Sequence, residues 1–161
     1  MSFDGIVIGG GPAGMMASIV AAQQGNKVLL LERNDRLGKK LLITGKGRCN
    51  VTNACSAQEV LQNTPRNGRF LYSAMENYPP DKVMDFFESY GCKLKIERGN
   101  RVFPVTDKAS SVLECLRNVM HRCGVQVRTG RVCDIVVNDG TVAGVRIRRA
   151  QRRRDSRDCV L

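Results

Sequence analysis

Gly9-Gly10-Gly11-Pro12-Ala13-Gly14 is the stretch whose reading decides the fold of this 161-residue chain. It satisfies Gly-x-Gly-x-x-Gly, and each glycine of the pattern has its own mechanical task. Gly9 allows a tight turn off a strand, Gly11 lets the backbone approach a pyrophosphate, and Gly14 lets a helix lie close against the strands. Phosphates in such a turn meet unpaired N–H groups and the positive end of the helix dipole. A glycine-rich turn can also simply join a strand to a helix, so the flanks decide between the two.

The flanks fit the nucleotide reading. Residues 3–8 are a short β-branched apolar run ending in glycines, as an interior parallel strand requires. Residues 12–24 follow as a helix, with Pro12 in the first turn and Gly25 as the stop. Residues 27–32 form a second apolar strand, parallel to the first through a right-handed crossover. Glu32 ends it 18 residues after Gly14, near the distance expected for an acid that accepts ribose hydroxyl hydrogen bonds. A carboxylate there repels a 2′-phosphate, which favours FAD or NAD over NADP. The expected class is α/β, a Rossmann-like βαβ unit.

Farther along, residues 33–53 are irregular and rich in Gly, Lys, Arg and Asn, longer than a simple connection needs. Short helices are expected over 56–63, 68–78 and 80–90, and a small hairpin over 94–96 and 101–103 through Gly99-Asn100. Asp107 is the expected cap of a helix running to about Arg122, since Val112, Leu116, Val119 and Cys123 recur at helical spacing. Residues 125–128 read as a third parallel strand. Residues 131–137 and 141–147 read as a second hairpin, turned by Asn138-Asp139-Gly140.

Composition excludes some classes. No apolar run approaches the roughly 20 residues that span a bilayer, and the amino terminus has no export signal, so a cytoplasmic protein is expected. The seven cysteines are scattered and never paired as Cys-x-x-Cys, which suits reduced thiols and offers no metal site. The formal charge of +11 raises the question of nucleic acid. Almost half of it sits in residues 146–161, where seven arginines face Asp155 and Asp158 for a net of +5. A nucleic-acid partner is therefore not the expectation.

Two longer stretches are more specific. Gly38-Lys39-Lys40-Leu41-Leu42-Ile43-Thr44-Gly45-Lys46-Gly47-Arg48-Cys49-Asn50-Val51-Thr52-Asn53 and Asn100-Arg101-Val102-Phe103-Pro104-Val105-Thr106-Asp107-Lys108-Ala109-Ser110-Ser111-Val112 resemble, in order, two shared blocks of the BaiN-type, aminoacetone oxidase-like family of bacterial NAD(P)/FAD-dependent flavoproteins. The resemblance covers residues 1 to about 148. It implies FAD held as in glutathione-reductase-type flavoproteins, in an oxidoreductase supplied by NAD(P)H. Gly9, Gly11, Pro12, Ala13 and Gly14 would then form the cofactor-binding turn, with the Ala13 backbone near the pyrophosphate, Glu32 on the adenosine ribose, and Arg33 flanking the adenine. Lys40, Arg48 and Asn50 would line the flavin side, and Val132 would touch the adenine through its backbone. The bland alternative for Lys39, Lys40, Lys46 and Arg48 is a solvated basic loop. No catalytic acid or base, and no substrate, follows from these residues.

The chain departs from that family in length. The Ala-Thr-Gly-Gly segment, the further parallel strands and the late Gly-Asp-type segment are missing, so an incomplete unit over 1–148 is expected, with 33–107 as its loop, helices and hairpin. The 3–8 strand is then an open sheet edge, and FAD binding by this chain alone should be weak or absent. Residues 149–161 match neither the family nor a domain edge, and read as a disordered, out-of-frame extension of a truncated chain. Two rival readings are a non-catalytic nucleotide-binding fragment and a flavin disulfide reductase using Cys49 and Cys55. The second requires Cys-x4-Cys where this chain has Cys-x5-Cys, and one extra helical residue turns the sulfurs apart by about 100°.

Overall fold

A computed structural model describes residues 2–148 and the backbone of residues 158–160. In chain order its elements are β1 (Gly5–Ile8), α1 (Pro12–Gln23), β2 (Val28–Glu32), β3 (Thr52–Asn53), α2 (Ala57–Gln62), α3 (Tyr72–Asn77) and α4 (Pro80–Ser89). They continue with β4 (Leu94–Glu97), β5 (Arg101–Pro104), α5 (Ala109–Arg122), β6 (Gln126–Thr129), β7 (Arg131–Asn138), β8 (Thr141–Arg148) and β9 (Asp158–Val160). Two 3-10 segments, Leu41–Gly47 and Gly68–Leu71, lie between them. The backbone divides into two units, residues 1–39 with 116–161, and residues 40–115.

In the first unit β1, β2 and β6 form a parallel sheet in the order β1-β2-β6, with Ile6 opposite Leu29 and Leu30 opposite Val127. β2 is central and every one of its residues is buried, which explains its unbroken Val-Leu-Leu-Leu run. β1 is the edge, as expected. Successive side chains of a strand point to opposite faces. Leu29 and Leu31 accordingly share one core with Val145 and Ile147 of β8, and Phe3, Ile6 and Val132 pack against it. Each buried leucine contributes roughly 1.5–3 kcal/mol relative to exposure, so this cluster fixes the face on which the meander lies.

The meander follows from its turn. Asp139 (φ 48°) and Gly140 (φ 77°) are both left-handed, the pattern that joins antiparallel strands through two residues. The expectation of a disordered end over 149–161 is corrected at 158–160, where β9 adds a third antiparallel strand to β8, with Ile147 opposite Cys159. Without β9, β8 would be an edge strand offering unpaired N–H and C=O groups; β9 takes that side and makes β8 central. Residues 149–157 lie outside the described residues.

The second unit holds the antiparallel sheet β3-β5-β4, whose hairpin turns at Gly99 (φ 75°) and Asn100 (φ 56°). Ser56 caps α2 in a reciprocal box: Ser56 N–H donates to Glu59, and Glu59 N–H donates to the Ser56 hydroxyl. Two local expectations are corrected. The helix over 68–78 divides into the 3-10 turn Gly68–Leu71, entered through left-handed Asn67, and α3. Asp107 does not cap α5. It has a φ of 56°, α5 begins two residues later, and its carboxylate is taken by Arg48 and Lys95.

Candidate nucleotide-binding site

The glycine turn is built as three different positions. Gly9 has a φ of 109°, where a side chain is strained, and its N–H donates to the Leu31 carbonyl at 2.8 Å. Gly11 is the N-cap of α1 in extended conformation, and a Cβ there would meet nothing within 4 Å. At Gly14 a Cβ would stand 1.9 Å from the Gly9 carbonyl oxygen and 3.4 Å from Val7 Cγ1, so α1 packs against its own strand only because the side chain is absent. Pro12 at N1 has no N–H to satisfy, and Met15 N–H makes the bond back to the Gly11 carbonyl. The N–H groups of Ala13 and Gly14 precede the first intrahelical bonds, no acidic residue occupies that turn, and the positive helix end faces the open side of Gly11.

Glu32 reaches this turn from the end of β2. Its Oε2 accepts the Gly10 N–H at 2.7 Å, and its Oε1 accepts the Asn34 N–H at 2.7 Å and Asn34 Nδ2 at 2.6 Å. Burial, with 9% of the residue exposed, works against its charge. The hydrogen bonds from Asn34 and Gly10 and the nearby Arg33 guanidinium outweigh that penalty and hold the carboxyl below its usual range. A glycine-lined turn with open space over Gly11, free helix-end donors and an ionised carboxylate alongside suits a dinucleotide diphosphate and its ribose.

Sequence reasoning missed three contributors. At Gly10 a Cβ would stand 2.3 Å from Leu37 Cδ2 and 3.2 Å from both Cβ and Oε2 of Glu32, so a third consecutive glycine is what lets the carboxylate approach. Asn34 supplies two of the three donors to Glu32, and the Gly38 N–H donates to the Gly10 carbonyl at 2.9 Å. The signal for Gly10 was legible as an unneeded glycine in the pattern. An Asn two residues beyond the acid is a weaker signal.

The remaining candidate residues are dispersed. Arg33 is exposed directly after Glu32, Pro12 and Ala13 are exposed on the first turn of α1, and Val132 is half-buried against the Leu29–Leu31 core. Lys40, Arg48 and Asn50 belong to the other unit, where Lys40 and Asn50 are exposed. Arg48 is bound in a cluster of two cations and two anions. Its Nε donates to Asp107 Oδ1 at 2.8 Å, and its Nη2 bridges Asp107 at 2.6 Å and Glu97. Lys95 closes the ring to Asp107 at 2.6 Å and Glu97 at 3.3 Å, and the Arg48 guanidinium lies 4.2 Å from the Phe103 ring centroid. The hydrogen bonds from Lys95 and Arg48 hold Asp107 below its ordinary pKa, and chiefly that from Arg48 does the same for Glu97.

The disulfide-reductase reading finds no support in the thiols. Cys49 and Cys55 are both free, Cys49 is buried, and burial pushes its thiol pKa up, the opposite of an attacking thiolate. The thiol that influences Cys49 is Cys92, and not Cys55. Among the described residues no helix is long and apolar enough to cross a membrane.

Together the pinned glycine turn, the adjoining acid and the parallel sheet define a dinucleotide-binding Rossmann unit. The chain belongs to the family described as HI0933-like protein Rossmann domain, which matches residues 3–161 and so runs through the arginine-rich end. It is 36% identical over 126 residues to the 3-dehydro-bile acid delta(4,6)-reductase of Clostridium scindens, covering 77% of this chain and 30% of that protein. It is 30% identical over 126 residues to the ribosomal RNA dihydrouridine synthase of Escherichia coli, covering 78% of this chain and 31% of that protein. The chain thus spans about a third of the length of these curated relatives. Among solved structures, the 3-ketosteroid-delta4-(5alpha)-dehydrogenase of Rhodococcus jostii shares the fold, with a TM-score of 0.63 and 17% identity over 98% of this chain and 43% of that one.

Proposed function

We propose that this chain forms the nucleotide-binding face of a flavin-dependent reductase that is supplied with electrons by NAD(P)H and reduces a carbon–carbon double bond conjugated to a carbonyl. The observation that carries the nucleotide part is the 2.7 Å hydrogen bond that seats Glu32 against the glycine turn. The Ala13 and Gly14 N–H groups are assigned to the diphosphate, Gly9 and Pro12 shape the turn, and Gly11 leaves room for the phosphate oxygens. Glu32 takes the adenosine ribose, Arg33 the adenine edge, and Val132 the adenine through its backbone.

Lys40 and Asn50, both exposed, are the candidates on the flavin side. Arg48 serves there through its ion cluster, which fixes the loop carrying the other two. When bound, the flavin supplies hydride chemistry, and the chain's own groups bind and orient it. The reaction class is supported by the relatives' names. A delta(4,6)-reductase acting on a 3-dehydro-bile acid and an enzyme producing dihydrouridine both saturate a double bond beside a carbonyl or ring amide.

The test begins with FAD. Titrating the purified chain and following quenching of flavin fluorescence should give weak, saturable binding, abolished by Glu32→Ala. Anaerobic bleaching of the bound flavin by NADH or NADPH, followed by reoxidation with a 4-en-3-one steroid or with uridine in RNA, then addresses donor and acceptor. Saturable binding that survives Glu32→Ala refutes the nucleotide assignment. Reoxidation by neither acceptor refutes the proposed reaction class.

A further inference from the structure

The loop leaving β2 organises the site it leaves. Asn34 gives its backbone N–H and its Nδ2 to Oε1 of Glu32, while Oε2 receives the Gly10 N–H. An ionised carboxylate offers about four acceptor positions. Oε1 is filled by two donors and Oε2 holds one, which leaves a single acceptor position on the oxygen beside the glycine turn. The same loop returns four residues later to donate the Gly38 N–H to the Gly10 carbonyl, so both ends of the Gly10 residue are held by the exit of β2.

We propose that Asn34 is a positioning residue for nucleotide binding: it fixes the Glu32 carboxylate so that the one acceptor left on Oε2 meets a ribose hydroxyl of an adenosine nucleotide without a 2′-phosphate. The proposal rests on the assignment of Glu32 to the ribose. Asn34 acts through Glu32 and touches no nucleotide atom. A side chain with no donor at position 34 leaves Oε1 partly unmet, lets the carboxylate turn about its last bond, and removes one of the N–H groups that favour its charged form. A charge-assisted hydrogen bond is roughly twice as strong as a neutral one, so both geometry and charge state depend on this side chain.

Asn34→Ala removes only the side-chain donor, because the backbone N–H remains, and Asn34→Ser puts back a shorter one. The probe is FAD, followed by flavin fluorescence from about pH 4 to 8, with ADP as a flavin-free competitor and circular dichroism melting as the control for folding. Asn34→Ala should bind FAD and ADP roughly five- to tenfold more weakly. The pH below which binding falls away should move upward, and Asn34→Ser should recover part of both changes. Unchanged affinity and pH profile in Asn34→Ala, beside a wild type that binds, overturns the proposal. Equal weakening at every pH, with matching loss of melting temperature in both variants, also overturns it by showing a merely structural side chain. A wild type that binds neither FAD nor ADP overturns the assignment of Glu32 on which the proposal rests.

Discussion

Gly14 lies so close to Gly9 that a Cβ placed on it would stand 1.9 Å from the Gly9 carbonyl oxygen. That contact is backbone against backbone, with no side chain to swing aside. Gly11, three residues earlier, faces open space. The two glycines therefore separate stability from binding. Gly14→Ala should cost about 1–3 kcal/mol of stability through overpacking, measured by urea unfolding. Gly11→Ala should change stability by less than about 0.5 kcal/mol while weakening FAD binding about tenfold or more, measured by flavin fluorescence.

Glu32→Gln keeps the shape of the side chain and removes its charge. An amide offers one acceptor oxygen, and its NH2 then faces a donor from Gly10 or Asn34. A loss of roughly 1–3 kcal/mol is expected at neutral pH. Because the folded pKa of Glu32 is depressed, its contribution is present above the ordinary glutamate value and is lost as pH falls through the folded one. The gap between wild type and Glu32→Gln should therefore close in urea melts taken at progressively lower pH. A gap that widens under acid would contradict the charge argument.

Arg48 ties Glu97 and Asp107 together beside Lys95 at the surface. Arg48→Met should lower the melting temperature, and the difference should shrink in high salt, because screening weakens the wild-type cluster more than the variant. Both carboxyl pKa values are depressed in the fold, so acid removes the same stabilisation as they protonate. Arg48→Lys should restore little, since an ammonium cannot reproduce the forked contact with Asp107 and the stacking on Phe103.

Alkylation by iodoacetamide, read by mass spectrometry, should follow burial. Among the six cysteines whose side chains are described, Cys133 is exposed and reacts first, Cys55 and Cys123 follow, and buried Cys49, Cys92 and Cys115 react last. Mild oxidation should yield no Cys49–Cys55 disulfide. Rapid labelling of Cys49, or that disulfide in good yield, would revive the reductase reading.

Gly140→Ala should cost about 1–2 kcal/mol, because its φ of 77° strains any residue with a Cβ. Asp139→Asn should be close to neutral, since asparagine tolerates the left-handed conformation at least as well. Thermal melting of the two variants checks the pair.

The first three elements, β1, α1 and β2, were legible because their signals are local. An apolar strand, three spaced glycines, a proline at N1 and an acid at the end of the next strand are properties of neighbouring residues, and the structure keeps them with shifts of a residue or two. The same holds for both hairpins, whose turns announce themselves through Gly and Asn or Asp. The helix over 68–78 misled because a 3-10 turn and an α-helix share the same residue types, and the segment changes from one to the other after Leu71. Asp107 misled for a related reason: capping residues and ion-pair residues are the same residue types, and only the positions of Arg48 and Lys95 decide between the two roles.

By itself the sequence determined that a strand, a phosphate-suited turn, a helix and a second strand follow one another, since backbone freedom and apolar periodicity act within a few residues. Tertiary structure alone decided what Glu32 touches, that Gly10 must have no side chain, that Asn34 steadies the carboxylate, and that Arg48 is bound by acids 49 and 59 residues away. Hydrogen bonds and ion pairs select partners by direction and distance in space, and spacing along the chain carries little of that information.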